Sequence, residues 1–356
     1  MSSPLGRLAT RAGYGARQAP RIAWYIAHGY AMGRARRLME RIAPSGETPA
    51  RPTGPTPTRD RLRADLRRLF FRDLANVEAG IYPMPRDLDG DLGEVVARSR
   101  DFFLDLPRSY LRRREKAHQE VFTEEFRGRF PRYYLQNFHY QSGGYLSEDS
   151  ARLYDIQVEV LFNGAANAMR RQVLVPVADH LRGRDQRTMR LVDVACGTGR
   201  FLRFLKDAYP RLEALGVDLS APYLDEARRH LTGRGRTRFA LANAELLPLP
   251  DASQDIVTTI YLFHELPPRV RRQVAAEFAR VLKPGGLLVF MDSLQRGDIG
   301  DYDGLLELFP VGYHEPYFDS YTREDLDGLF GKAGFTPASR ELAFVSKLAA
   351  YTRNGG

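Results

Sequence analysis

Apolar residues recur along this chain in two rhythms. Between about Arg59 and Arg182 they return every three or four positions, the period of a helix with one buried face. From Arg190 onward, short apolar runs rich in β-branched residues alternate with helical stretches and Gly-rich turns. The first rhythm predicts a helix near Thr58–Phe71 with Leu62, Leu66 and Leu69 inward, one or two between Ser99 and Ala117 broken at Pro107, a capped pair between Ser147 and Arg171, and one over Val173–Leu181. A loop is expected at Gly80–Asp91, and Phe130–Leu146 is dense in aromatics, which suits either a core joining two parts or a lid over a pocket. The second rhythm predicts strands at Leu191–Ala195, Glu213–Val217, Phe239–Leu241, Asp255–Tyr261 and Leu287–Met291, helices at Phe201–Tyr209 and Arg269–Val281, and two strands within Gly334–Arg353.

The N-terminus follows the helical period too. Over Ile22–Ile42, Trp24, Ala27, Ala31, Ala35, Leu38 and Ile42 form one apolar stripe, flanked by Arg34, Arg37 and Arg41. Residues 44–58 are rich in Pro, Gly and Thr and read as a linker. The chain divides accordingly into a basic segment 1–43, the linker 44–58, a helical region 59–185 and an α/β domain 186–356.

Charge sharpens this division. The first 75 residues hold 15 Arg and 5 acidic residues, a net of +10, so the remainder nets −1. A general nucleic-acid surface on the α/β domain is disfavoured. Three readings of the basic segment stay open: a helix packed on the domain, a helix lying on an anionic membrane surface, and an organelle presequence. The location expected is cytoplasmic, membrane-peripheral under the second reading and mitochondrial under the third. With one cysteine, Cys196, no internal disulfide and no multi-cysteine zinc site can form, and no metal site is expected. No apolar run has the length of a membrane span.

The strongest chemical signal is Leu191-Val192-Asp193-Val194-Ala195 followed by Cys196-Gly197-Thr198-Gly199-Arg200 and a helix. Gly197 and Gly199 let the backbone turn tightly beside a ligand, and the helix N-terminus offers free amides. Asp218, closing the second strand, is placed to accept hydrogen bonds from a ribose. A dinucleotide fingerprint would want glycine where Leu202 stands.

Taken in order, VDVACGTGR, GVDLS, NAELLPLPDASQDIV and RVLKPGG resemble the class I S-adenosylmethionine (SAM)-dependent methyltransferases, in particular the ubiquinone/menaquinone-biosynthesis group. The resemblance covers about Arg190–Arg353. It implies a Rossmann-like, doubly wound seven-stranded sheet, here with a helical N-terminal extension. It implies SAM as cofactor, with Asp193, Gly197 and Gly199 near the methionine moiety and Asp218 on the ribose. Leu219, Asn243 and Ala244 would face the adenine, Tyr261 the sulfonium, and Tyr154 would sit on a helix covering the ligand. Cys196 is expected as a small filler and Lys283-Pro284-Gly285-Gly286 as a turn.

The acceptor should lie near the ends of the fourth and fifth strands. His264 is the leading candidate general base there and His314 the second; Glu265 and Glu315 adjoin them in sequence only. The aromatic stretch Gln295–Tyr321 is expected as a long lid. The preferred reading is methyl transfer to carbon or oxygen of a small lipophilic or aromatic metabolite. A protein or RNA methyltransferase is the rival enzyme, and a SAM-binding accessory protein without turnover is the rival from another class. An NAD-linked oxidoreductase is weaker, because of Leu202 and the NAELLPLPD segment. No oligomeric state follows.

Overall fold

The computed structural model describes residues 4–44, 50–87 and 92–355. Seven strands form one sheet: β1 (Arg190–Val194), β2 (Glu213–Asp218), β3 (Thr237–Leu241), β4 (Gln254–Ile260), β5 (Leu282–Ser293), β6 (Phe335–Ala343) and β7 (Ser346–Arg353). Their order is β3-β2-β1-β4-β5-β7-β6, parallel except at β7. The central strands are buried on both faces, which is why they read as continuous apolar runs. On one face pack α5 (Ala166–Gln172), α6 (Leu174–Leu181), α7 (Arg200–Ala208) and α8 (Ala221–His230); on the other, α9 (Pro268–Val281) and α12 (Leu326–Lys332). Local chemistry fixes the starts of these helices. The Ser220 hydroxyl accepts the Tyr223 amide at the head of α8, and the Asp325 carboxylate that of Gly328 at the head of α12. β5 begins earlier than its apolar run suggests, because Lys283–Gly286 forms a bulge within the strand and not a turn before it.

The N-terminal region wraps around this domain as α1 (Pro4–Ile42), α2 (Arg59–Glu78), α3 (Leu92–Glu115) and α4 (Glu148–Leu161). Two helices run through a proline, one of them where a break was expected. Pro20 lies inside α1, and α3 continues past Pro107, which is exposed, so water can satisfy the carbonyl it orphans. The larger surprise is the face that α1 buries. The apolar stripe, which would face inward were α1 an ordinary packed helix, points outward: Leu38 is 56% exposed, Ile42 75% and Trp24 38%. The buried positions are Tyr14, Gln18, Arg21 and His28. Three of these are polar, and each makes a polar contact with the helical region 59–185 or within its own helix. Gln18 Nε2 donates to Asp87 Oδ2 (2.7 Å), Arg21 donates to Gly164 O (2.6 Å) and pairs with Glu159, and His28 Nδ1 meets Trp24 O (2.8 Å). A helix docked through polar partners leaves no hydrophobic periodicity to read.

The docking centre is Arg171 on α5, fully buried. Its guanidinium grips Asp73 of α2 with two bonds (2.9 and 2.7 Å) and Asp87 with a third (2.6 Å). Tyr14 of α1 and Tyr82 donate to the same Asp73 carboxylate (2.5 and 2.8 Å).

Two loop expectations change. The predicted linker lies partly outside the described residues, but its 50–58 portion is docked. Thr53 donates through its amide and hydroxyl to Glu307 (2.6 and 2.8 Å), and the Gly304 amide donates to Pro55 O (2.8 Å). The Gln295–Tyr321 stretch is largely helical, forming α10 (Asp303–Gly312) and α11 (Phe318–Thr322). Leu305, Leu306 and Phe309 pack at helical spacing there, against Leu62 of α2 and Phe318 of α11.

Candidate functional site: two joined cavities at the strand ends

The β1–α7 turn is shaped by its glycines. Gly197 and Gly199 have φ of +53° and +72°, and Ala195 precedes them at +59°. A Cβ on Gly197 would point into nearly open cleft, whereas one on Gly199 would strike Leu231 and Ala227 of α8 at 2.8 and 2.9 Å. Gly199 therefore lets the turn pack closely against α8. The Gly197 amide donates to Asp218 Oδ2 (2.8 Å) and the Ser220 amide to Oδ1 (2.9 Å), so the carboxylate at the end of β2 is fixed before any ligand arrives. Burial pushes Asp218 up, and those amide bonds oppose it. From behind, Asp155 of α4 accepts from Thr198 Oγ1 (3.0 Å) and Arg200 (2.7 Å), tying the turn to the helical region.

The cleft in front of this turn has a volume of about 100 Å³. Gly197, Asp218, Leu219, Asn243, Ala244, Tyr261 and Tyr154 all line it. Asp193 does not. Its carboxyl lies behind the strand, 2% exposed, bonded by Thr258 Oγ1 (2.7 Å). The Asn243 side chain is spent locally, donating to Glu245 Oε1 (2.9 Å) and accepting the Glu245 amide (3.1 Å). The Tyr261 hydroxyl turns away from the cleft to Ser346 Oγ (2.9 Å). Tyr133, Tyr134, Phe138 and Tyr145 close the open side. The aromatic cluster is thus both core and wall: Phe138 is 1% exposed and still borders the cleft.

Asp193 yields a test. Burial first, then the Asp218 charge, push its carboxyl up to about 7, while Thr258 and Arg170 act the other way. Its folded value lies above the unfolded ~3.9, so the folded state holds the extra proton and stability falls as pH rises from about 4 to about 7. Asp193→Asn removes that cost. Its melting temperature relative to wild type should rise between pH 5 and pH 8, by about 2–4 °C for each kcal/mol recovered. An unchanged difference by scanning calorimetry would refute this account.

A second cavity, of about 360 Å³, adjoins the first. Its walls are mostly apolar, including Leu62, Val158, Phe162, Leu306, Phe309 and Phe318. Tyr154, Tyr261 and Glu265 line both cavities and form the boundary between them. At that boundary His264 Nδ1 meets Asp292 Oδ1 at 2.5 Å. Asp292, fully buried, also accepts the amides of Phe263 (2.8 Å), His264 (3.3 Å) and Ser293 (2.7 Å). Burial works against the charged imidazole, but Asp292 and then Glu315 and Glu265 outweigh it and hold His264 up at about 10, so it is a cation at neutral pH. Glu265 accepts from Tyr145 at 2.5 Å, and burial raises it to about 7.

His314 is not part of this site. It stacks on His118 (4.0 Å between centroids), bonds Gln136 Oε1 (2.7 Å) and lines neither cavity. The loop turns so that its neighbour Glu315 points inward instead, with a fully buried side chain 3.1 Å from His139 Nε2. Glu265, Glu315 and His139 are the residues that sequence reasoning did not assign. Adjacency to a histidine was the only signal for the two glutamates, and it does not say which of two neighbours faces in.

Residues 191–286 match the family described as "Methyltransferase domain". The demethylmenaquinone methyltransferase of Thermus thermophilus is 38% identical over 104 residues, 29% of this chain and 46% of that protein. The ubiquinone/menaquinone biosynthesis C-methyltransferase of Desulfotalea psychrophila is 32% identical over 140 residues, 39% of this chain and 53% of that protein. Among solved structures, a SAM-dependent methyltransferase from Aquifex aeolicus aligns with a TM-score of 0.39 at 19% identity, over 51% of this chain and 92% of that one. The chain spans about half the length of the curated relatives it matches. This part of the chain matches a methyltransferase domain and is similar to the ubiquinone/menaquinone C-methyltransferases. The cleft fits SAM: a turn with room where a Cβ would stand, a fixed carboxylate at the end of β2 and aromatic walls.

Proposed function

We propose that this chain transfers the methyl group of SAM to carbon or oxygen of a small, apolar, aromatic acceptor held in the second cavity. The observation that carries this is the shared wall. Tyr154, Tyr261 and Glu265 border both cavities, so a ligand in one meets a ligand in the other there. Relatives named for demethylmenaquinone suit an apolar ring system of this kind.

SAM supplies a methyl on a positively charged sulfur, already electrophilic. The protein has to align, desolvate and manage one proton. Gly197 gives the backbone close approach, and Asp218 holds the ribose through lone pairs not taken by the Gly197 and Ser220 amides. Phe162, Phe309 and Phe318 exclude water from the acceptor side. Glu265, at the boundary, takes the proton that the acceptor loses. His264, kept cationic by Asp292, stabilises negative charge developing on the acceptor and is not itself the base. The aromatic wall and the near-neutral α/β domain favour a small molecule over protein or RNA.

Calorimetry with SAM and S-adenosylhomocysteine tests the first half. Both should bind, and Asp218→Asn should weaken them by about 10–100-fold, the worth of hydrogen bonds to a charged acceptor. No heat with either, but heat with NAD, would sink the assignment. Transfer of label from methyl-labelled SAM to quinols and phenols, and not to peptides or RNA, tests the second.

A further inference from the structure

The boundary carries more acid than its one cation balances. Asp292, Glu265 and Glu315 converge on His264, with no lysine or arginine among the groups acting on Glu315. Glu315 is the unexplained member. Its side chain is fully buried, and neither oxygen has a hydrogen-bond partner. A buried carboxyl without a partner is unfavourable unless something supplies one. His139 faces it from a left-handed backbone, φ +55°, with its ring held edge-on by Phe309 and Tyr313 (centroids 6.1 and 5.7 Å). A ligand atom from each of His139, Glu265 and Glu315 lies within 4.8 Å of the others, the only such group among the described residues. Bonds of about 2.0–2.2 Å to a common tetrahedral ion set its ligand atoms about 3.3–3.6 Å apart; His139 Nε2 and Glu315 Oε1 already stand at 3.1 Å, and Glu265 has to close by about an ångström.

We infer that His139, Glu265 and Glu315 form a site for a divalent first-row cation at the junction of the two cavities. One imidazole and two carboxylates suit Mn²⁺, Fe²⁺ or Zn²⁺ better than an all-oxygen site for Ca²⁺. Three protein ligands leave positions open, and His139 and Glu265 both line the second cavity, so an oxygen of the acceptor can complete the shell. The acceptor class is thereby narrowed to apolar ring compounds with an exposed hydroxyl or carbonyl oxygen. The sequence offered no expectation of this site, because its ligands come from three distant segments. The inference rests on the second cavity holding the acceptor, but cation binding is measured with neither cofactor nor acceptor present.

The full chain, stripped with chelator, is titrated with Mn²⁺ and followed by electron paramagnetic resonance. One saturable site is expected. Glu315→Gln and His139→Asn should each weaken it by about 10–100-fold, with heat of S-adenosylhomocysteine binding unchanged. Pulsed spectra of the unmodified chain should show one directly bound nitrogen, which decides the matter even if both variants fail to fold. Absence of saturable binding, wild-type affinity in folded variants, or a bound ion without nitrogen would overturn the site. Loss of S-adenosylhomocysteine binding with Mn²⁺ binding intact would instead remove the methyltransferase reading alone.

Discussion

Glu265→Gln is expected to lower kcat for methyl transfer by about 10²–10⁴, the usual loss on removing a positioned proton acceptor. The change is nearly isosteric. The Tyr145 hydroxyl, which now donates to Glu265 at 2.5 Å, can donate equally to the amide oxygen, so the wall between the cavities keeps its shape. What is lost is a negative charge with two free acceptor positions, and with it the ability to take a proton or hold a cation. Asp218 closes β2 and Gly197 stands in the β1–α7 turn, both on other elements than Glu265, so binding of S-adenosylhomocysteine should stay within about twofold of wild type. Stopped-flow or quench measurements under saturating SAM separate the two quantities. A variant within about threefold of wild-type kcat would show that Glu265 only lines the cavities. A variant that lost cofactor binding in parallel would show that the residue acts on the architecture.

The contrast between Asp218 and Glu265 shows what could be read in advance. Asp218 and Gly197 belong to a strand-turn-helix unit in which neighbours in sequence are neighbours in space. The pattern of apolar residues therefore placed both, with the central strands along the chain. Glu265, Glu315 and His139 meet only because α10 and α11 fold back over the ends of β4 and β5, and the segment before α4 crosses above them. No local period encodes that convergence. At His264-Glu265 both neighbours face the boundary, whereas at His314-Glu315 the histidine turns out and the glutamate in. The same limit explains α1. Hydrophobic periodicity finds helices that dock by apolar burial, and it picked the outward stripe because the inward one is built from Gln18, Arg21 and His28.

Arg171→Met tests that polar docking, and the expected loss is about 3–5 kcal/mol of unfolding free energy. The methionine fills much the same volume and adds apolar contact, so packing alone predicts little change. The damage comes from what stays behind. Asp73 and Asp87 have buried side chains, and burial drives Asp87 up while Arg171 and Arg21 bring it well below the ordinary carboxylate range. Without the guanidinium, Asp73 keeps only the hydroxyls of Tyr14 and Tyr82, and Asp87 keeps Gln18 and the charge of Arg21. Two carboxylates would then sit in a low-dielectric seam with their closest counter-charge gone. Because α1, α2 and α5 all meet at this point, the loss should appear as an earlier urea transition accompanied by protease cleavage near residues 43–58, where the N-terminal helices join. The triple change Arg171→Met, Asp73→Asn, Asp87→Asn supplies the control: with no charge left to strand, it should recover most of the stability. If the single variant unfolds within about 1 kcal/mol of wild type, the seam does not hold the helical region to the domain. If the triple variant is as weak as the single one, shape and not charge balance sets the strength of the joint.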